Sequence, residues 1–388
     1  MQSLWSNDAA ALANNPVALC AYASRLVGAD TALVMHGGGN TSIKVDGVLH
    51  VKGTGSDLAH VDETSFTPLH LACARGVLNA ACEDNAAMKR ALDSCIARSH
   101  APRPSIETLM HAGLPQACVN HTHASAVLAA LNVDGIETVH AHLFGELAPL
   151  VPYQHSGHGL ARACMAAYEQ YATDKTLGLV LAFHGIVSFG DNVREAYERM
   201  VTLVTRAEDF LKSRQAWDLP YAATVDSSTA APRRIANLCN EISRLAGVTL
   251  TGHTVRTPQT RAFAARSDLK DISQQGPSTP QHAVYTRRVP LIDGDAAAYA
   301  TRYRAYLAEH LGKAAMSLDP APRIVLDPEF GLLALGKTSG EAAMAAQMYA
   351  RDIEIISRAC AHGRYRCAPA HALALAEFEY GGHAGKYE

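Results

Sequence analysis

In the run Ala117-Cys118-Val119-Asn120-His121-Thr122-His123, two histidines stand one residue apart at the end of an apolar stretch. Alternate side chains of an extended strand leave the same face, so His121 and His123 can direct two imidazoles at one metal ion. A carboxylate lies nearby in sequence, in Pro104-Ser105-Ile106-Glu107. A third imidazole, His184, sits in Leu181-Ala182-Phe183-His184-Gly185, after a second strand-like run over 177–181. Three neutral nitrogens with an open or weakly held position make a catalytic zinc site, whereas a structural zinc more often recruits cysteine.

The elements that must carry these groups alternate between helices and short strands. Asn15-Pro16 opens a helix over 17–27 that ends at Gly28, and strands follow over 32–35, 41–45 and 48–51, the last two around a turn at Asp46-Gly47. Residues 69–98 read as mainly helical, 117–121 as a strand and 124–131 as a helix. After a strand over 177–183, an amphipathic helix runs over 194–213 with Ala196, Met200, Leu203, Val204 and Ala207 on one side. Residues 217–233 hold Pro, Ser, Thr and Ala without periodicity and read as a linker. The expected domains are 1–222, which carries the metal ligands, and 223–388.

The second domain reads as an eroded copy of the first. Leu19-Cys20 and Ser24-Arg25-Leu26-Val27-Gly28 recur as Leu238-Cys239 and Ser243-Arg244-Leu245-Ala246-Gly247, and Gly185-x4-Gly190-x4-Glu195-Ala196 recurs as Gly331-x4-Gly336-x4-Glu341-Ala342. Matching Pro115-Gln116 to Pro280-Gln281 places Thr286 and Arg288 where His121 and His123 stand, and no histidine precedes Gly331. The copy is therefore expected to keep the scaffold without the metal ligands, as a structural or interface module.

Other motifs weigh less. Gly331-Leu332-Leu333-Ala334-Leu335-Gly336-Lys337-Thr338 matches the GxxxxGK[ST] phosphate loop literally, but its intervening residues are apolar and no later run ends in an Asp suited to magnesium. Val139-His140-Ala141-His142 repeats the HxH spacing without a carboxylate motif, and Gln154-His155-Ser156-Gly157-His158 is likewise set aside as a metal site. His36-Gly37-Gly38-Gly39 imitates a lipase oxyanion loop, but no GxSxG elbow exists to use it.

With 48% hydrophobic and 18% charged residues and a formal charge of -3, the 388-residue chain is that of a soluble globular protein with no attraction for nucleic acid or an anionic membrane. The first residues carry no basic start followed by an apolar stretch, so neither a secretory leader nor a membrane span is expected. Nine scattered cysteines without a CxxC pair read as reduced, mostly buried residues, which implies a cytoplasmic address.

The order His36-Gly37-Gly38-Gly39-Asn40-Thr41-Ser42, Lys52-Gly53-Thr54-Gly55, Pro104-Ser105-Ile106-Glu107, His121-Thr122-His123 and His184-Gly185 resembles the class II aldolase/adducin family. The resemblance covers residues 15–215 and is nearest to the aldolase portion of bifunctional rhamnulose-phosphate aldolase/lactaldehyde dehydrogenases. No GxGxxG fingerprint follows a strand, so no dehydrogenase activity is expected.

The resemblance implies an α/β fold, an α/β/α layered domain with a central, mostly antiparallel sheet, followed here by a degenerate second copy. It implies Zn2+ bound by His121, His123 and His184, with Glu107 as acid/base and fourth ligand in the resting enzyme. The implied reaction cleaves a ketose 1-phosphate of the rhamnulose or fuculose type to dihydroxyacetone phosphate and an aldehyde. Gly39, Asn40, Thr54, Gly55 and Ser105 are the candidates for binding phosphate, glycine permitting close backbone approach to an anion. Family members often carry two serines before the glutamate, whereas this chain has Ser105-Ile106. A sugar-phosphate epimerase, dehydratase or decarboxylase on the same metal, or a non-catalytic adducin-like scaffold, is the alternative. The expected partner is a small-molecule sugar phosphate, and the expected assembly a homo-oligomer.

Overall fold

The computed structural model describes residues 1–82, 84–221 and 231–381. The chain divides into two compact units: Met1–Leu131 with Gly135–Leu211, and Asn132–Asp134 with the described chain after Leu211. The boundary expected between 222 and 223 lies outside the described residues, as does 222–230 of the expected linker. The described ends of that stretch are built into structure rather than free. The Arg358 guanidinium lies 3.8 Å over the Trp217 ring and donates to its carbonyl, and Pro232 and Arg233 belong to the helix Ala231–Ala246.

The first unit is built on seven strands: β1 (Asn40–Val45), β2 (Val48–Lys52), β3 (Phe66–His70), β4 (Cys118–Thr122), β5 (Leu150–Val151), β6 (Gly178–Leu181) and β7 (Gly185–Gly190). Their order is β3-β2-β1-β4-β7-β6-β5, antiparallel throughout except for β5 beside β6. Asp46 and Gly47 both take positive φ, 48° and 77°, which is the two-residue turn that matches strand twist and closes β1 onto β2.

Side chains alternate across the sheet, so each face meets its own helical layer. Leu49, Val51, Val119 and Val187 join a core with the helices Leu71–Asn79, Asn85–Asp93, Thr108–Gly113 and His158–Tyr171. On the opposite face Thr41 bonds Ser24 of the helix Pro16–Gly28, while Thr122 and Ser188 reach Met200 and the Ala196 carbonyl of the helix Val193–Ser213. This is the expected α/β/α layering. No described helix is long and apolar enough to cross a membrane.

Three expectations fail locally. Residues 32–35 are not a strand, because Asp30 draws that backbone into a turn: its side chain accepts from the Ala32 N–H and its carbonyl from the N–H groups of Leu33 and Val34. Leu69 and His70 end β3 rather than begin a helix, held by β2 on one side and by the return segment at Cys95 and Ala97 on the other. That return also brings Cys73 and Cys95 together as a disulfide, so the nine cysteines are not all reduced, and the described free ones are Cys20, Cys82, Cys118, Cys164, Cys239, Cys360 and Cys367. Two cysteines 22 residues apart meet because the chain folds back, which their spacing does not reveal.

Among its described residues the second unit has three antiparallel strands, β8 (Thr251–Val255), β9 (Ile324–Asp327) and β10 (Gly331–Gly336), in the order β8-β10-β9. The repeat is visible where the sequence places it. β6-β7 and β9-β10 are each an antiparallel pair leading into a long helix, and the Asp191 and Lys337 N–H groups donate alike to Glu195 and Glu341. The alignment through Pro280-Gln281 does not hold, because Pro280–Thr286 is a helix started by Thr279 and Pro280. The strand beside β10 is β8, in which Thr254 faces Leu333 as His121 faces Val187 in the first unit. The GxxxxGK[ST] match is the buried strand β10 itself, laddered on both sides, and so it cannot wrap a phosphate.

Candidate metal centre

Antiparallel pairing brings the three histidines together. His121 pairs with Val187 one residue before the ladder of β4 closes at Thr122 and Ile186, and His123 lies just beyond it. β7 begins at Gly185 opposite Leu181, so the three-residue turn Ala182-Phe183-His184 sits at the same end of the sheet. Phe183 takes φ 55° to close the turn, and a Cβ on Gly185 would collide with the Thr122 carbonyl oxygen, so only glycine lets His184 come so close to β4.

The imidazole centroids form a triangle with every side 4.9 Å. The candidate ligand atoms lie within 4.8 Å of one another, and this is the sole such cluster of His, Cys, Asp and Glu among the described residues. His121 Nε2 lies 3.1 Å from His123 Nε2, 3.1 Å separates His184 Nε2 from Glu107 Oε1, and 3.4 Å separates His121 Nε2 from Glu107 Oε2. His121 Nδ1 donates to the Ile186 carbonyl at 3.1 Å, which leaves its Nε2 lone pair for the centre. Burial holds the His121 imidazole down at about 4 although Glu107 opposes this, so the ring is neutral, as a ligand must be. Burial would raise the Glu107 carboxyl, but the imidazoles of His121 and His184 outweigh it and keep it well below the usual carboxylate range. A donor set of three converging imidazoles beside a buried carboxylate fits a divalent transition metal such as zinc.

Glu107 precedes the helix Thr108–Gly113 and is 5% exposed. Asn40, at the start of β1, donates through Nδ2 to Glu107 Oε2 at 2.7 Å and to Ser105 Oγ at 3.1 Å. Its Oδ1 accepts from His111 Nε2 at 2.5 Å, and His111 Nδ1 in turn accepts from Ser42 Oγ at 2.7 Å. Only one tautomer of His111 satisfies this chain, and burial drives its imidazole down to about 3, keeping it neutral. His111→Leu should therefore leave Asn40 Oδ1 and Ser42 Oγ without His111, cost roughly 2 kcal/mol of stability and loosen Glu107, readable as a lower denaturant midpoint together with a slower reaction.

The structure brings three of the five phosphate candidates up to Glu107 or His121. A Cβ on Gly39, at φ +65°, would meet the His121 carbonyl oxygen at 2.7 Å; Asn40 holds Glu107; and Ser105 Oγ accepts from the Glu107 N–H. Thr54 and Gly55 are exposed on the loop after β2, where the Thr54 hydroxyl donates to the Pro104 carbonyl. Lys52, 3% exposed, ties the glycine turn to β2 by donating to the carbonyls of Gly37 at 2.8 Å and Gly39 at 3.4 Å; burial pulls its ammonium down to about 8 against Asp57 and Glu107.

His140 bonds the Ala148 carbonyl and His142 packs against Phe210, so the second HxH joins no metal cluster. Ser156, in the other set-aside motif, instead donates to Glu107 Oε1 at 3.3 Å. Sequence reasoning missed Ser156 and His111. The available signals were a histidine four residues after Glu107 and a serine before a glycine; neither is specific.

The family model of the class II aldolase and adducin N-terminal domain matches residues 18–211, half of the chain, and that of the aldolase class II second domain matches 229–381. A solved N-terminal class II aldolase domain of a conserved protein from Thermoplasma acidophilum is 34% identical, with a TM-score of 0.50, covering 54% of this chain and 99% of that one. An L-fuculose-1-phosphate aldolase from Thermus thermophilus is 18% identical, with a TM-score of 0.36, over 50% of this chain and 95% of that one. The uncharacterized oxidoreductase YuxG of Bacillus subtilis is 27% identical over 94% of this chain, which spans 57% of that relative's length.

Proposed function

Because the chain belongs to the class II aldolase and adducin family, we propose that it is a zinc-dependent aldolase cleaving a ketose 1-phosphate to dihydroxyacetone phosphate and an aldehyde. The observation that carries this reading is the convergence of His121, His123 and His184 beside the buried Glu107 carboxylate. His121, His123 and His184 would hold a divalent cation, which would supply Lewis-acid stabilisation of negative charge on the ketone-side oxygens.

The chain's own residues supply the rest. Glu107 is the proton carrier: the hydroxyl proton released as the carbon–carbon bond breaks ends on its carboxylate, the resulting carboxyl protonates the carbon of the enediolate, and in synthesis the same carbon gives that proton back. Asn40 keeps the carboxylate from rotating away, since its Nδ2 donates to Oε2 while His111 holds its Oδ1. Gly39, Thr54, Gly55 and Ser105 would receive the phosphate, with Thr54 and Gly55 on the exposed side. The substrate in this reading is a small-molecule sugar phosphate and the assembly a homo-oligomer.

Zinc-loaded protein incubated with dihydroxyacetone phosphate and a panel of short aldehydes should yield new ketose 1-phosphates, identified by NMR. Dihydroxyacetone phosphate and aldehydes recovered unchanged, with no ketose 1-phosphate formed by the metal-loaded protein, would overturn the reading.

A further inference from the structure

The two oxygens of Glu107 are held in different ways. Oε2 accepts from the Asn40 amide, a group that can only donate at Nδ2, within the chain Ser42, His111, Asn40 whose members are all at most 4% exposed. Oε1 faces His184 Nε2 at 3.1 Å and accepts from the hydroxyl of Ser156, which is only partly buried. A hydroxyl donates to a carboxylate and, after rotating, accepts from a carboxylic acid, which an amide N–H cannot do. Protonating Oε2 would leave the Asn40 amide facing a hydroxyl oxygen, a much poorer acceptor, whereas protonating Oε1 merely reverses a bond.

The placement of Ser156 is built rather than incidental. Asn85 Nδ2 donates to the Ser156 carbonyl at 2.9 Å, and Asn85 opens the helix Asn85–Asp93, which is anchored by the buried Met88 and Leu92. Gly157 takes φ +120°, and a Cβ there would collide with Asn85 Oδ1. On the other side of this glycine, His158 Nε2 bonds the Leu78 carbonyl at 3.0 Å. Two side-chain tethers and a glycine conformation thus fix one hydroxyl against one carboxylate oxygen.

We infer that Ser156 is a positioning residue for proton transfer, marking Glu107 Oε1 as the oxygen that carries the proton. The inference rests on the aldolase reading. In the synthetic direction the C–H bond next to the ketone breaks, its proton forms the O–H bond on Oε1, and its electron pair stays on the carbon skeleton as the enediolate. Ser156 turns from donor to acceptor in the same step, and the return step reverses both. Oε2 keeps the Asn40 bond throughout.

The test uses metal-loaded parent, Ser156→Ala and Ser156→Thr proteins in D2O with dihydroxyacetone phosphate, following loss of carbon-bound hydrogen by NMR. The infrared band of the Glu107 carboxylate, identified by its absence in Glu107→Gln, is recorded alongside without substrate. Ser156→Ala should exchange about ten- to a hundredfold more slowly at unchanged metal content and unchanged KM, with a shifted band, and Ser156→Thr should restore both. Exchange at the parental rate in Ser156→Ala, or an unmoved band, overturns the role of Ser156 and leaves the aldolase reading standing. A parent that exchanges no carbon-bound hydrogen sinks the aldolase reading and with it the proton-carrying role; the infrared band then still decides whether Ser156 holds Oε1.

Discussion

His121→Ala is expected to lose bound divalent metal and carbon–carbon bond cleavage together. The side chain is fully buried, its Nε2 faces His123 and Glu107, and its Nδ1–H is spent on the Ile186 carbonyl, so no other group can swing into its place. Two imidazoles remain in the variant, too few for the three-ligand set of a catalytic zinc. Metal analysis should fall from about one ion per chain to near none, and turnover should drop by about a thousandfold or more. The removed ring leaves a cavity at the end of β4, so far-UV circular dichroism must first establish that the variant is folded. Normal turnover in a folded, metal-free His121→Ala protein would remove the metal from the mechanism.

Glu107→Gln separates the metal from the proton. Gln keeps the shape of the side chain and its carbonyl oxygen can still accept from Asn40 Nδ2, while the three histidines are untouched. Metal content should therefore stay near the parental value, but the carboxylate proposed to carry the proton is gone. General acid–base catalysis of this kind contributes about 10²–10⁴-fold, and turnover should fall by that much. A Glu107→Gln protein within tenfold of the parent rate would show that the proton travels by another group.

His121 and His123 are readable from sequence because a strand repeats every two residues, so their spacing alone puts both rings on one face. Glu107 and His184 stand 14 residues before and 63 residues after His121 and enter through the order of motifs, not through any local period. Asn40 shows the limit of motif reading. Its neighbouring glycines suggest an anion cradle, while the fold commits its amide to Glu107, Ser105 and His111. The repeat shows the same limit in the second unit: the glycine frame and following helix recur as read, but the match through Pro280 fails because Thr279-Pro280 starts a helix there.

Periodicity and spacing by themselves determined alternating helices and strands, two histidines on one strand face and a glycine frame that recurs in the second half, while the family resemblance implied the mostly antiparallel sheet and the three-histidine set. Tertiary structure alone decided what surrounds that set. Asn40 meets Glu107 across 67 residues, Ser42 meets His111 across 69, and Ser156 meets Glu107 across 49. Cys73 meets Cys95 by a chain reversal of the same kind. Such pairs depend on which strands lie side by side, on their register and on how loops close, and these are set by burying the whole core at once. A local pattern records the direction in which a side chain leaves its element; the partner it meets is fixed only when the elements pack.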